Sequence, residues 1–149
     1  MTIKKVAVIG GGTMGSGIAE VAAKSGCDTI VVEIDASLAE QAQKKLEVST
    51  EKAVSREKMT DEDRSGLLNR IAFTTSFDEL TDRDLVIEAV VESPSVKASV
   101  FKTLDEIVQK DGILASNTSS ISIGEIADLS LIHISEPTRP ERIAYGVVC

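Results

Sequence analysis

Lys4-Lys5-Val6-Ala7-Val8-Ile9-Gly10-Gly11-Gly12-Thr13-Met14-Gly15-Ser16-Gly17-Ile18-Ala19 is the stretch from which the rest of the chain is read. An apolar run, Val6 to Ile9, breaks into glycines. Helical spacing follows at Ile18, Val21 and Ala22. A turn at Lys24-Ser25-Gly26 leads to a second apolar run, Thr29-Ile30-Val31-Val32, capped by Glu33. The order is strand, glycine turn, helix, strand, acid. Gly10-x-Gly12-x-x-Gly15 is a dinucleotide-binding fingerprint in which each glycine has its own reason. Gly10 permits a tight turn out of the strand. Gly12 lets backbone approach a pyrophosphate. Gly15 lets the helix pack close to the sheet. Thr13 and Met14 lie between them, in the helix N-terminus that turns its N–H groups toward phosphate. The cofactor-binding set read here is Gly10, Gly12, Thr13, Met14, Gly15 and Glu33.

Glu33 lies roughly 20 residues past the glycines, where a carboxylate accepts hydrogen bonds from a ribose diol. A 2′-phosphate beside it would meet like charge with no adjacent Arg, so the cofactor expected is NAD rather than NADP. Asp35 is the rival for the ribose role; Glu33 is preferred because the end of the strand points to the cleft.

Net charge is -8 over 149 residues, against the basic patches that nucleic acid or a membrane surface demands. No apolar run spans a bilayer and no signal segment precedes the first strand. The two cysteines, Cys27 and Cys149, form neither a disulfide framework nor a metal spacing, and the expected location is cytoplasmic. Cys27 reads as a packing residue.

Further along, Leu38, Ala42, Leu46 and Ala53 mark a long, rather polar helix from about Ala36 to Arg56. Thr60 reads as the N-cap of a second, with Asp61, Glu62 and Asp63 in its first turn. Short strands are expected at Ile71-Thr74, Asp84-Ala89 and Ile113-Ala115, and a helix starting at Pro94 carries Val96, Val100, Leu104 and Ile107. A short helix is expected at about Ser122 to Ala127. Alternating strands and helices give an α/β, doubly wound (Rossmann) parallel sheet with an inserted helix pair. Ligands bind outside the carboxyl ends of such strands. Besides the glycines, two ends are polar: Glu88 and Glu92 with Lys97 nearby, and Asn117-Thr118-Ser119-Ser120.

Val8 to Ala19, Asp84-Leu85-Val86-Ile87-Glu88-Ala89 and Leu114-Ala115-Ser116-Asn117-Thr118-Ser119-Ser120 together resemble the NAD-binding domain of the 3-hydroxyacyl-CoA dehydrogenases, most in the style of the 3-hydroxybutyryl-CoA enzymes. The resemblance covers about Ile3 to Asp128. It implies an enzyme of fatty acid or butyrate metabolism that oxidises the 3-hydroxyl of an acyl-CoA and passes hydride to NAD. It implies Glu92, Lys97 and Asn117 along the nicotinamide half of the cofactor, Ser119 as the catalytic contact to the substrate's 3-oxygen, and Lys44 approaching the CoA. It also implies a homo-oligomeric whole enzyme whose helical second domain closes over the substrate.

The family's proton acceptor is a histidine in a His-Phe-Phe-Asn-Pro segment. The one histidine here, His133, stands before Ile134-Ser135-Glu136-Pro137 and is assigned no catalytic role. Residues 1–128 are therefore expected to form the NAD-binding domain. Residues 129–149, beginning Leu129-Ser130-Leu131-Ile132-His133-Ile134-Ser135-Glu136-Pro137, resemble translated sequencing adapter and read as a non-native tail; the rival reading is a divergent sixth strand, because Arg139-Pro140-Glu141-Arg142-Ile143 resembles the family's lead-in to that strand. The chain alone is expected to be a monomer that binds NAD with little turnover. The alternatives are a non-catalytic dinucleotide-binding module and a dehydrogenase of another hydroxy acid.

Overall fold

The computed structural model of the chain describes residues 2–118. Five strands, β1 (Lys5–Ile9), β2 (Asp28–Val32), β3 (Ile71–Thr74), β4 (Leu85–Glu88) and β5 (Ile113–Ser116), form one parallel sheet in the order β3-β2-β1-β4-β5. Between them run α1 (Thr13–Lys24), α2 (Ala36–Ser55), α3 (Asp61–Leu68) and α4 (Pro94–Ile107). The strand order reverses at β1. β2 and β3 lie to one side of it and β4 and β5 to the other, so a crevice opens beyond the carboxyl ends of β1 and β4. This is the doubly wound sheet with an inserted helix pair that the sequence predicts.

Strand side chains alternate between two covered faces. Val6, Val8 and Val31 pack with Ala19 of α1. Ala7, Ile9, Ile30, Val32, Val86 and Leu114 pack with Phe101 and Leu104 of α4. Burial on both sides explains why the strands are nearly continuous in apolar residues.

The buried stripes of three helices differ from those the apolar spacing predicts. In α1 they are Gly15, Ala19 and Ala23, while Val21 is 66% exposed. The helix axis comes so close to the sheet that only small residues fit beneath it. In α4 they are Lys97, Phe101 and Leu104, while Val96 faces outward. In α2, Leu38 is part-exposed and Thr50 is buried where the expected residue was Ala53. Thr50 Oγ1 donates to the helix's own carbonyls at 3.0 Å and accepts the Arg64 Nε proton at 3.2 Å, which ties α3 to α2.

The caps agree with their local chemistry. Thr60 Oγ1 accepts the Asp63 N–H, as expected. Asp84 accepts the N–H groups of Lys4 and Lys5, which hold its carboxyl below the usual carboxylate range and fasten the start of β1 to β4. Cys27 is half-buried, its thiol turned to the Ile3 carbonyl at 3.8 Å. α2 ends in a Schellman turn: Glu57 N donates to Val54 O and Lys58 N to Ala53 O, both at 2.9 Å, with Glu57 at φ 57°. A side chain in that left-handed conformation is strained. Glu57→Gly is expected to stabilise the domain by about 1 kcal/mol, read as a higher urea midpoint.

Candidate functional site

The glycine turn leaves β1 with Gly10 at φ 98°, and a Cβ there would stand 2.8 Å from the Ala89 carbonyl oxygen. Gly10 N donates to Val32 O at 2.9 Å and Ala89 N to Ile9 O at 2.8 Å, so the end of β1 and its turn are tied to the ends of both neighbouring strands. At Gly15 a Cβ would fall 1.7 Å from the Gly10 carbonyl oxygen. Gly12 is the opposite case: a Cβ there meets nothing within 4 Å and would project into open space. Gly12 is also the N-cap of α1 and offers no side-chain cap to the helix's first N–H groups. Among the described residues no side chain caps these groups, so the turn presents bare backbone N–H donors of the kind that hold a phosphate.

Glu33 lies one residue beyond the end of β2, half-buried. Its Oε1 accepts the Gly11 N–H at 2.5 Å, which turns the carboxylate toward the glycine turn. Asp35 is occupied otherwise: it caps α2, its Oδ1 accepting the Leu38 N–H at 2.8 Å. Gly11, which the fingerprint leaves as a variable position, is sterically required, since a Cβ would stand 2.6 Å from Ala42 Cβ and 3.0 Å from Glu33 Oε1.

Beside this turn is a cleft of about 310 Å³ whose lining includes Gly10, Gly12, Glu33, Ile34, Phe77 and Val90. Its walls are apolar, and Ile34 at its rim is 87% exposed. A larger apolar cleft of about 800 Å³ lies on the other side of the helix N-terminus, where Thr13 and Met14 face Ser116 and Asn117.

Across the switch point, the ends of β4 and β5 are bound by a polar network. Glu88, fully buried, accepts two bonds from Lys97 Nζ at 2.8 and 2.9 Å, one from Val90 N at 2.7 Å and one from Ser116 Oγ at 2.6 Å. Lys97 is 1% exposed, and its ammonium is also 3.7 Å from Glu92 Oε1. Glu92 Oε2 accepts from Thr118 Oγ1 at 3.0 Å, and Asn117 N donates to the Glu88 carbonyl at 2.9 Å. The resemblance places Lys97 along the cofactor as a contact; here its charge is directed into Glu88. Sequence reasoning named Glu88 but gave it no role, and Ser116 likewise. The signal for the pair was an ionisable residue closing an apolar strand with a lysine nine positions on, the spacing between a strand tip and the first turn of the next helix.

Lys44 stands on the exposed face of α2 in an i,i+4 pair with Glu40 at 2.6 Å, which raises the lysine's pKa and lowers the acid's. Ser119, the short helix expected at Ser122 to Ala127, His133 and the tail lie outside the described residues. Among the described residues, no group of three or more His, Cys, Asp or Glu side chains is placed to hold a metal, and no helix is long and apolar enough to cross a membrane.

An open-faced glycine turn, an adjacent carboxylate and an apolar slot at a topological switch point define a dinucleotide-binding domain. Comparison with known proteins narrows the class. Residues 5–138 match the family described as 3-hydroxyacyl-CoA dehydrogenase, NAD binding domain, and the chain belongs to that family. It is 46% identical over 126 residues to a 3-hydroxybutyryl-CoA dehydrogenase of Mycobacterium tuberculosis, an alignment covering 84% of this chain and 44% of that protein. The crystal structure of M. tuberculosis FadB2 superposes with a TM-score of 0.88 at 42% identity, covering 96% of this chain and 48% of that one. The (S)-3-hydroxybutyryl-CoA dehydrogenase PaaH1 of Ralstonia eutropha gives 0.84 at 37% identity, over 87% of this chain and 46% of that one. The chain thus spans less than half the length of these relatives.

Proposed function

We propose that the chain is the cofactor-binding half of an NAD-dependent dehydrogenase that interconverts 3-hydroxyacyl-CoA and 3-oxoacyl-CoA. The observation that carries this reading is the pairing of Gly12, whose missing side chain leaves room for a pyrophosphate, with the Glu33 carboxylate turned to the same crevice. The residues fit the cofactor. The glycine turn and the first turn of α1 would take the pyrophosphate, with Thr13 and Met14 beside it. Glu33 would accept the adenosine ribose hydroxyls, and the slot between Ile34 and Val90 suits a flat apolar ring. Glu92, Lys97 and Asn117 stand at the β4 and β5 ends, on the side the other half of a dinucleotide would reach. NAD, when bound, supplies the hydride acceptor. Ser119 would orient the substrate's 3-oxygen, and the proton acceptor would come from the longer enzyme. Lys44 would meet the CoA, in competition with Glu40.

The chain alone is expected to bind NADH with little turnover. Fluorescence titration with NADH, set beside an acetoacetyl-CoA reduction assay, tests both parts; absence of saturable NADH binding would refute the reading. A native reading frame continuing through residues 129–149 would refute the non-native tail.

Glu33→Ala is expected to weaken NAD about tenfold or more, because charge-assisted hydrogen bonds contribute roughly 1.5–3 kcal/mol. It should also narrow the preference over NADP, since the repelling carboxylate is gone. An unchanged preference would move the ribose role to Asp35.

A further inference from the structure

Gly11 is buried and held from both sides. Its N–H donates to Glu33 Oε1 at 2.5 Å, and its carbonyl accepts from Ser16 Oγ at 2.8 Å. The backbone on either side is fixed as well. Gly10 N donates to Val32 O and Glu33 N to Thr74 O, both at 2.9 Å. Against Gly11 lies Ala42 of α2, itself 2% exposed. A Cβ on Gly11 would stand 2.6 Å from Ala42 Cβ, where two carbons need about 3.5–4.0 Å. The next atoms it would meet are Glu33 Oε1 at 3.0 Å and Val31 Cγ1 at 3.2 Å, side-chain atoms that need give by only a few tenths of an ångström. The obstacle to a side chain at position 11 is therefore the methyl of Ala42.

We infer, on the strength of the dinucleotide reading, that Ala42 is a positioning residue for the cofactor: it seats α2 against the glycine turn so that the Gly11 N–H can hold the Glu33 carboxylate, and positions 11 and 42 have room for one methyl between them, on either residue. Ala42 touches no part of the ligand and acts through Gly11 and Glu33. A second methyl would force α2 and the turn apart by about 1 Å, the shortfall in carbon–carbon distance. The backbone of Glu33 is tied to β3 and cannot follow the turn, so the bond from Gly11 N to Oε1 is what gives way. While that bond stands, Oε2, at 3.4 Å from Ile34 N, is left to meet a ribose hydroxyl. Without it the carboxylate turns among its rotamers, and the ribose finds it in place less often. The same carboxylate repels a 2′-phosphate, so cofactor choice depends on the contact too.

The test is fluorescence titration of the 149-residue chain with NADH and with NADPH, with thermal unfolding beside it. Gly11→Ala is expected to weaken NADH about tenfold, the loss of one charge-assisted hydrogen bond. NADPH should weaken less, so the preference narrows. Gly11→Ala combined with Ala42→Gly moves the methyl from one residue to the other. Its NADH Kd and its preference should return to within about twofold of wild type. It should melt no lower than Ala42→Gly alone, which carries the same helix glycine. In a Glu33→Ala background, Gly11→Ala should leave the preference where Glu33→Ala put it. A folded Gly11→Ala with wild-type affinity and preference overturns the proposal. So does an equal loss of NADH and NADPH, which is what a purely structural role gives. Where Gly11→Ala does not fold, the double variant decides: failure to fold, or folding without recovery of the preference, overturns the proposal. A wild-type chain that binds neither dinucleotide sinks the dinucleotide reading and the proposal with it; saturable NADH binding by wild type without recovery in the double variant rejects the proposal alone.

Discussion

Gly15→Ala is expected to destabilise the domain by about 3 kcal/mol or more, a large share of the roughly 5–15 kcal/mol that holds a domain of this kind together. The added methyl would stand 1.7 Å from the Gly10 carbonyl oxygen and 2.9 Å from its carbonyl carbon. Both are backbone atoms, and neither can rotate away. Either α1 withdraws from the sheet or the turn after β1 deforms. Withdrawal would loosen the contacts of Ala19 and Ala23, which are 1% and 0% exposed. Deformation would spoil the turn that presents Gly12. Urea unfolding by circular dichroism measures the loss. Gly17→Ala is the control in the same helix: a Cβ there meets nothing within 4 Å, so the substitution should stabilise by about 0.5–1 kcal/mol through helix propensity. If the two variants lose stability equally, the close approach of α1 to β1 is not what fixes the residue at position 15.

Lys97→Met is expected to cost about 3–5 kcal/mol, the usual consequence of removing one partner from a buried ion pair. Glu88 would remain fully buried, with the Val90 N–H and Ser116 O–H bonds but no cation. Truncating the exposed Lys44, by contrast, should change stability by less than about 0.5 kcal/mol, since its pair with Glu40 is solvated. Removing Glu88 and Lys97 together should cost less than Lys97→Met alone, because no unpaired charge is left inside. A double-mutant cycle by urea unfolding measures the coupling. Additive losses would mean that the two charges do not stabilise each other.

The difference between these residues explains what the sequence reveals. The glycine turn, Glu33 and the succession of strands and helices along the chain follow from short-range signals: apolar runs, turn glycines, and an acid one strand further on. Each is a local constraint on backbone shape, and local constraints are visible in one dimension. The buried faces of the helices are less visible. Apolar spacing assigns Val21 and Val96 to the core, yet the core takes Ala19, Ala23 and Lys97. Close helix–sheet packing selects small residues, and ion pairing buries a lysine; hydrophobicity registers neither. The Glu88–Lys97–Ser116 network depends on three elements meeting, with Glu88 and Ser116 28 positions apart. No single window of sequence contains it. Glu33 against Asp35 is an intermediate case. Sequence favours Glu33 by its place at the strand end, and the geometry adds that Asp35 is engaged in capping α2.

Bare backbone at the first crossover is what seats the dinucleotide, and Gly12→Val fills that space while leaving the turn's own contacts in place. A side chain at that position has open space around it, so the variant should fold, losing at most about 1 kcal/mol as a poorer N-cap. The measurement is NADH fluorescence titration of wild type and Gly12→Val, with thermal unfolding as the check on folding. Saturable binding is expected of the wild type and none of the well-folded variant; NADH bound equally well by Gly12→Val would mean that the cofactor does not sit on this turn.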